Sequence, residues 1–266
     1  MLTAGLARKH GARVLLRIDD LDRQRFRESY LQDIFDTLAF AGISWDEGPA
    51  HAESFESAWS QVHRMEHYQQ ALGQLRRTDR LYACVCSRSQ LGQNHGDPCA
   101  CRGKKIPLER EGVRWRLYTE PGLRVTLHDY TDGPSSFALP ASVQDAIVRK
   151  ADGLPAYQLT SVVDDLLYGV DLVVRGADLF ASSLFQLHLA SLLPANRFRE
   201  TVFLHHPLLE APDGRKLSKS AGDRSARQMR VDGLTREGLL ELLLRLADGH
   251  THSVLLREAM QLLWGN

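Results

Sequence analysis

The sequence predicts an α/β fold. A parallel sheet covered by helices is interrupted by a small β-rich, cysteine-bearing insertion at about 82–142 and followed by a short helical tail at 221–266. Three observations predict it. Short apolar runs alternate with helix-period segments on both sides of the proposed insertion. The run Val14, Leu15, Leu16 ends in Asp19, Asp20 and Asp22, the layout of a buried parallel strand whose carboxyl end faces a ligand. All four cysteines of the 266-residue chain fall between positions 84 and 101.

In order along the chain, residues 1–10 read as a helix with Leu2, Leu6 and Ala7 inward, stopped by Gly11. Residues 14–16 read as the strand just described. Residues 28–41 place Tyr30, Leu31, Ile34, Phe35, Leu38 and Ala39 at helical spacing as core positions, closed by Gly42. Residues 53–77 repeat the pattern as one helix, with Trp59, Val62, Tyr68, Leu72 and Leu75 on one side. His63 and His67 lie one turn apart on it, with no third ligand at metal-binding spacing, and read as ordinary surface or boundary histidines. Residues 103–140 turn polar and alternate as strands do, at Val113, Trp115, Leu117 and again at Val125, Leu127. Residues 145–149 follow as a strand, then the turn at Asp152-Gly153, a helix over 156–167, a buried strand over 172–174 and a helix over 178–193. The sheet begun at Val14 is expected to resume there. Residues 234–263 read as helical to the end.

Thirty-three basic and thirty-three acidic residues cancel, so bulk charge does not announce a nucleic-acid partner, although a local basic face remains compatible with one. No apolar run is long enough to cross a bilayer, and the N-terminus lacks a signal-peptide core. The expectation is a soluble, cytoplasmic monomer with no membrane partner.

Cys84-Val85-Cys86 and Cys99-Ala100-Cys101 form two pairs separated by twelve residues. In a cytoplasmic chain such clustering argues for metal or redox chemistry rather than a disulfide framework. Four thiolates complete a tetrahedral zinc site with no open position, which makes it structural. The one-residue gap is tighter than the commoner two to four. Four small buried thiols are the alternative, and His95 and Asp97 are alternative ligands.

A second polar stretch, Lys216, Leu217, Ser218, Lys219 and Ser220, follows the Pro212-Asp213-Gly214 turn. Two cations and two hydroxyls on a loop suit a polyphosphate. On these residues alone, a solvated basic loop is the competing reading.

Three segments in this order carry a resemblance: Arg17 to Asp22; Gly153 to Leu159 with Val162-Val163-Asp164-Asp165 and Val174 to Leu179; and Lys216 to Ser220. Together they resemble the Rossmann-like catalytic domain of class I glutamyl-tRNA synthetases, over almost the whole chain. Within that class the chain looks like the short glutamyl-Q tRNA(Asp) synthetase family. That resemblance implies ATP-dependent activation of glutamate, with Mg²⁺, and its transfer to the queuosine base in the anticodon loop of tRNA(Asp). It implies that Asp19, Tyr157 and Arg175 bind glutamate. Lys219 is the principal catalytic contact to ATP, within the loop Lys216, Leu217, Ser218, Lys219 and Ser220. It implies one structural zinc per chain, on Cys84, Cys86 and Cys101. The family's remaining ligand is a tyrosine four residues before the last cysteine, a position held here by Asp97, so Cys99 is expected to supply the fourth thiolate.

Two departures qualify the resemblance. Asp19 stands where the family has a glutamate and is one methylene shorter. The chain opens at Met1, which corresponds to the middle of the family's first helix. The family's first strand and its histidine motif are expected upstream, beyond an internal start codon, or to be lost in a truncated paralogue. The latter would be impaired in catalysis and act as an RNA-binding or regulatory module, with Arg102, Lys104, Lys105, Arg114 and Arg116 as its basic face. No anticodon-binding domain is expected after the lysine loop; a fragment of a glutamyl-tRNA synthetase is the further alternative.

Overall fold

The computed structural model describes residues 1–86, 99–194, 196–208, 225–247 and 253–264. In chain order the elements are α1 (Leu2–His10), α2 (Glu28–Phe40), α3 (Met65–Arg76), β1 (Leu81–Cys84), β2 (Arg114–Leu117), β3 (Arg124–Asp129), β4 (Gly133–Ala138), β5 (Ile147–Arg149), α4 (Tyr157–Leu167), β6 (Leu172–Gly176), α5 (Phe180–Ser191), β7 (Val202–His206), α6 (Ala226–Val231), α7 (Arg236–Ala247) and α8 (Ser253–Trp264). The fold is mixed α/β with a parallel strand pairing and a helical C-terminal segment. The chain divides into two compact units, Met1–His63 with His206–Asn266, and Arg64–His205.

In the first unit α1 buries Ala4, Leu6 and Ala7 and packs on α8. Gly11, at φ 60°, closes it as a left-handed cap. Arg8 Nη1 donates to the carbonyls of Leu262 (2.7 Å) and Leu263 (3.1 Å) near the end of α8, where a cation suits the helix dipole. A Cβ built on Gly5 would lie 2.2 Å from Ala259 Cβ, so a residue without a side chain is what permits this approach.

The 14–16 run is not a strand. It makes one isolated parallel bridge, Leu15 to Glu47. The Val14 carbonyl accepts from both Asp46 N (2.8 Å) and Glu47 N (3.1 Å), a turn-like pairing that ends the ladder after one step. In α2, Leu31 and Phe35 are buried against Phe55, as their spacing predicts, but Tyr30 (63% exposed), Ile34 and Ala39 face solvent. The apolar stripe is therefore narrower than the composition of the helix suggested.

The helix expected over 53–77 is broken. A turn at Ala52–Ser54 passes into a π-helix, Phe55–Trp59, then a 3₁₀ segment, Gln61–Arg64, before α3. The cause lies forty residues upstream. Buried Asp20 accepts from Ser60 Oγ (2.5 Å) and from the Gln61 backbone N–H (2.7 Å), while Gln61 Oε1 accepts from Asp20 N (3.0 Å) and Leu21 N (3.2 Å). A continuous helix would bury the Gln61 N–H inside its own ladder and leave the Asp20 carboxylate short of a donor.

Among the described residues, the second unit holds two sheets. β1, β2 and β5 form an antiparallel sheet in that order, and the other sheet runs β4-β3-β7-β6. β3 and β4 are a hairpin, and β3 pairs in parallel with β7 through His128–Val202 and Asp129–Phe203. β7 was not anticipated, whereas α6 falls within the helical tail expected at 221–266. β6 is half-buried along its length rather than buried. A 3₁₀ turn, Ala177–Leu179, precedes α5. Among the described residues, the segment expected to be helical over 234–263 forms α7 and α8.

α5 packs on α4 and β3 and is buried through most of its length. α3 is tied to α4 by a buried polar knot. Arg64 donates to Asp164 through Nε (2.8 Å) and Nη2 (3.1 Å), and Tyr68 OH donates to the same carboxylate at 2.7 Å. Burial and the adjacent carboxylate push the Tyr68 phenol up, which keeps it a donor.

Candidate functional site

β1 ends on Cys84, and the chain leaves the strand through Val85 to Cys86. On the far side, Cys99 leads into a 3₁₀ turn, Ala100–Gly103, that carries Cys101. The two short segments bring all four Sγ atoms within 4.8 Å of one another. Cys84 and Cys86 each lie 3.4 Å from Cys99, and Cys86 lies 3.5 Å from Cys101. These separations are far beyond a disulfide bond, and all four thiols are free. A tetrahedron with metal–sulfur bonds of about 2.3 Å has sulfur–sulfur edges of about 3.8 Å, close to this spacing. Cys84, Cys99 and Cys101 are buried with Tyr82 and Ile106 packed around them, and Cys86 is half-buried. The donor set is soft, closed and complete without a fifth group, so these four residues are placed to hold a metal ion.

Burial pushes the Cys84 thiol up. A hydrogen bond from the Arg116 guanidinium and one from the Cys86 backbone N–H outweigh it, so the thiol lies below its ordinary value. In the second pair, burial pushes Cys99 well up despite the backbone hydrogen bond from Cys101. His95 and Asp97, the alternative ligands, lie outside the described residues.

The residues expected to bind glutamate fall in both units. Asp19, in the first, is partly exposed and accepts from Arg17 Nε (3.0 Å) and Gln61 Nε2 (3.4 Å). Asp20 beside it is buried and occupied with the helix break, so of the paired carboxylates only Asp19 has its side chain substantially open to solvent. Tyr157 and Arg175 belong to the second unit. Tyr157 is the first residue of α4 and is 42% exposed, following extended Ala156. Arg175 lies on β6, with its guanidinium 5.1 Å over the Phe203 ring and Nη1 donating to Gln186 Oε1 at 2.9 Å.

Sequence reading missed the support beneath these two residues. Ser182 and Gln186 are one turn apart on α5. Ser182 Oγ accepts from Gln158 Nε2 (3.1 Å), next to Tyr157, and Gln186 accepts from Arg175. The Ser183 hydroxyl, also buried, lies 2.6 Å from His205 Nε2 on β7. The available signal was three polar residues, Ser182, Ser183 and Gln186, on a helix otherwise apolar enough to be buried all round. Lys216, Leu217, Ser218, Lys219 and Ser220 lie outside the described residues.

Residues 1–260 match the family described as tRNA synthetases class I (E and Q), catalytic domain. The chain belongs to the class I tRNA synthetase family. It is similar to the glutamyl-Q tRNA(Asp) synthetase of Verminephrobacter eiseniae, 38% identical over 229 residues that cover 81% of this chain and 73% of that protein. The glutamyl-Q tRNA(Asp) synthetase of Symbiobacterium thermophilum is 37% identical over 253 residues, covering 87% and 75%. Glutamate–tRNA ligase 2 of Halorhodospira halophila is 32% identical over 258 residues, covering 91% of this chain and 52% of that one. The crystal structure of a glutamate tRNA ligase from Elizabethkingia meningosepticum superposes with a TM-score of 0.70 at 21% identity, covering 97% of this chain and 59% of that one. That likeness shows the class I synthetase fold, and the chain spans about three fifths of that structure. As a class I synthetase of the glutamate type, the chain is a ligase whose family uses ATP, an amino acid and tRNA. No helix among the described residues is long and apolar enough to cross a membrane.

Proposed function

We propose that this chain activates glutamate with ATP and transfers it to the queuosine base in the anticodon loop of tRNA(Asp). One observation carries the reading. The matches to glutamyl-Q tRNA(Asp) synthetases are the more identical ones and extend over about three quarters of those proteins, while the match to a full glutamate–tRNA ligase covers about half of it.

In this reading Arg175 pairs with a glutamate carboxylate, a geometry that suits a guanidinium fork. Tyr157 lines the pocket, and Asp19 contacts the amino acid from the segment that follows Leu16. Lys219, with Lys216, Leu217, Ser218 and Ser220, grips the ATP phosphates, and ATP enters with Mg²⁺. The glutamate α-carboxylate attacks the α-phosphorus of ATP; the bond from that phosphorus to the α,β-bridging oxygen breaks, and pyrophosphate leaves. A hydroxyl of the modified base then attacks the acyl carbon and AMP departs. No protein nucleophile is needed, so catalysis is positioning and charge stabilisation. Cys84, Cys86, Cys99 and Cys101 hold one structural zinc per chain. Residues 82–142 act as an insertion in the catalytic domain, and residues 221–266 as its helical tail.

The test is glutamate transfer to queuosine-containing tRNA(Asp), with the attachment point located by removing the 3′-terminal adenosine. Retention of labelled glutamate on the trimmed tRNA is expected. Loss of the label with the terminal adenosine would identify a glutamate–tRNA ligase instead, and absence of glutamate-dependent ATP–pyrophosphate exchange would refute activation itself. Arg175→Ala is expected to raise KM for glutamate far more than KM for ATP.

A further inference from the structure

Asp145 lies forty-four residues beyond the last cysteine, yet its bonds converge on the four-thiol site. It is 4% exposed and holds φ 53°, a left-handed conformation that aspartate tolerates better than most residues. Its Oδ2 accepts from Tyr82 OH at 3.0 Å, two residues before Cys84 on β1. The same oxygen stands 3.8 Å from Nη1 of Arg102, the residue after Cys101. Oδ1 accepts from Thr119 N at 2.9 Å, and Asp145 N donates to Thr119 Oγ1 at 3.3 Å, which fixes the carboxylate on β2's exit. The Asp145 carbonyl, turned inward by the left-handed backbone, accepts from Arg116 Nη1 at 2.7 Å. Arg116 is 8% exposed and pairs with Tyr82 across the β1–β2 ladder, which puts it on the same face as Cys84, two residues along β1.

We propose that Asp145 and Arg116 are the outer shell of the metal centre. Asp145 seats both cysteine segments through Tyr82 and Arg102 and delivers Arg116 to Cys84. A divalent metal with four thiolates carries two net negative charges, which is costly in a buried setting without a cation alongside. Arg116 is that cation, and the backbone carbonyl holds it without cancelling its charge. The Asp145 carboxylate instead opposes Arg102, whose guanidinium also stacks 3.5 Å over the Tyr118 ring and donates to Thr119 O at 3.1 Å. Both are positioning residues, since neither offers an atom to the metal.

The inference rests on the zinc reading above. The experiment is competition for zinc between the full chain and a chromophoric chelator, for wild type, Asp145→Ala, Arg116→Met and Tyr82→Phe. Leu127→Ala, in the core of the other sheet, is the control for general loss of stability. Outer-shell partners typically change metal affinity about 10–100-fold. Asp145→Ala and Arg116→Met are each expected to lose zinc affinity in that range, and Tyr82→Phe, which removes one hydroxyl, several-fold. Leu127→Ala should lower the melting temperature with zinc affinity within about twofold of wild type. Unchanged affinity in the Asp145, Arg116 and Tyr82 variants of a zinc-binding wild type would overturn the proposal alone, as would an equal loss in Leu127→Ala. If Asp145→Ala fails to fold, Tyr82→Phe carries the decision. A wild-type chain that binds no zinc would overturn the zinc reading and this inference together.

Discussion

Replacing Gly5 with alanine measures how closely α1 is seated on α8. The added methyl would stand 2.2 Å from Ala259 Cβ and 2.5 Å from its Cα, where carbon atoms normally approach to about 3.5–4.0 Å. The helices must therefore part by more than an ångström. That opening also stretches the Arg8 bonds to Leu262 and Leu263 and the Lys9–Glu258 ion pair at 3.0 Å. Overpacking of this kind costs about 1–3 kcal/mol. Alanine in a helix interior returns about 1 kcal/mol relative to glycine. With the Arg8 contacts weakened, the net is a loss of about 1–2 kcal/mol. Urea denaturation should show the midpoint falling with an unchanged slope. Ala259→Gly alone should cost about 1 kcal/mol through helix propensity, and the double variant should recover most of the Gly5→Ala loss, giving a favourable coupling energy between the two positions. A Gly5→Ala chain as stable as wild type, or additive losses in the double variant, would refute the close approach.

Three other outcomes follow from buried groups. Asp164→Ala strips the buried Arg64 guanidinium of its carboxylate and should cost about 3–5 kcal/mol; the joint change Arg64→Met with Asp164→Leu should cost much less, read by the same denaturation curves. Burial, helped by Arg80, holds the His188 imidazole below its ordinary value, and its Nε2 has no hydrogen-bond partner among the described residues. Its unfolded form binds the proton more readily, so the stability it contributes is present above about pH 6.5 and is lost as pH falls below that; His188→Phe should flatten the dependence of melting temperature between pH 7 and 5. Gly48 sits at φ 121°, and a Cβ there would lie 2.4 Å from the Leu16 carbonyl oxygen, so Gly48→Ala should destabilise the first unit by at least about 1–3 kcal/mol in calorimetry.

What was legible in the sequence is what short-range periodicity and spacing encode. Leu31 and Phe35 mark α2 through helical spacing, Gly11 marks the end of α1, and two symmetric cysteine pairs meet as their spacing suggests. What escaped depends on distant partners. Nothing in Trp59-Ser60-Gln61 signals a break, because the carboxylate that causes it is Asp20. Val202–His206 is too short and too histidine-rich to stand out, and becomes a strand only when β3 and β6 are beside it. Val14 to Leu16 has strand composition without a ladder to join. Asp145 has no motif around it; its partners are Tyr82, Arg102, Thr119 and Arg116, collected from sixty-three to twenty-six positions away.

The order of the four-stranded sheet bears on how the chain is made. β7 is the last of its strands to be synthesised and lies between β3 and β6, both already made. Until residue 206 clears the ribosome, β3 and β6 each present an unpaired backbone edge with nothing in register beside it. Such edges are where nascent chains find wrong partners. The antiparallel β3–β4 hairpin can form at once from neighbouring residues, whereas the His128–Val202 pairing must wait for seventy-four more. Slow translation before β7 would lengthen that exposure, and a chaperone that covers strand edges would act on this protein during a window set by one late strand.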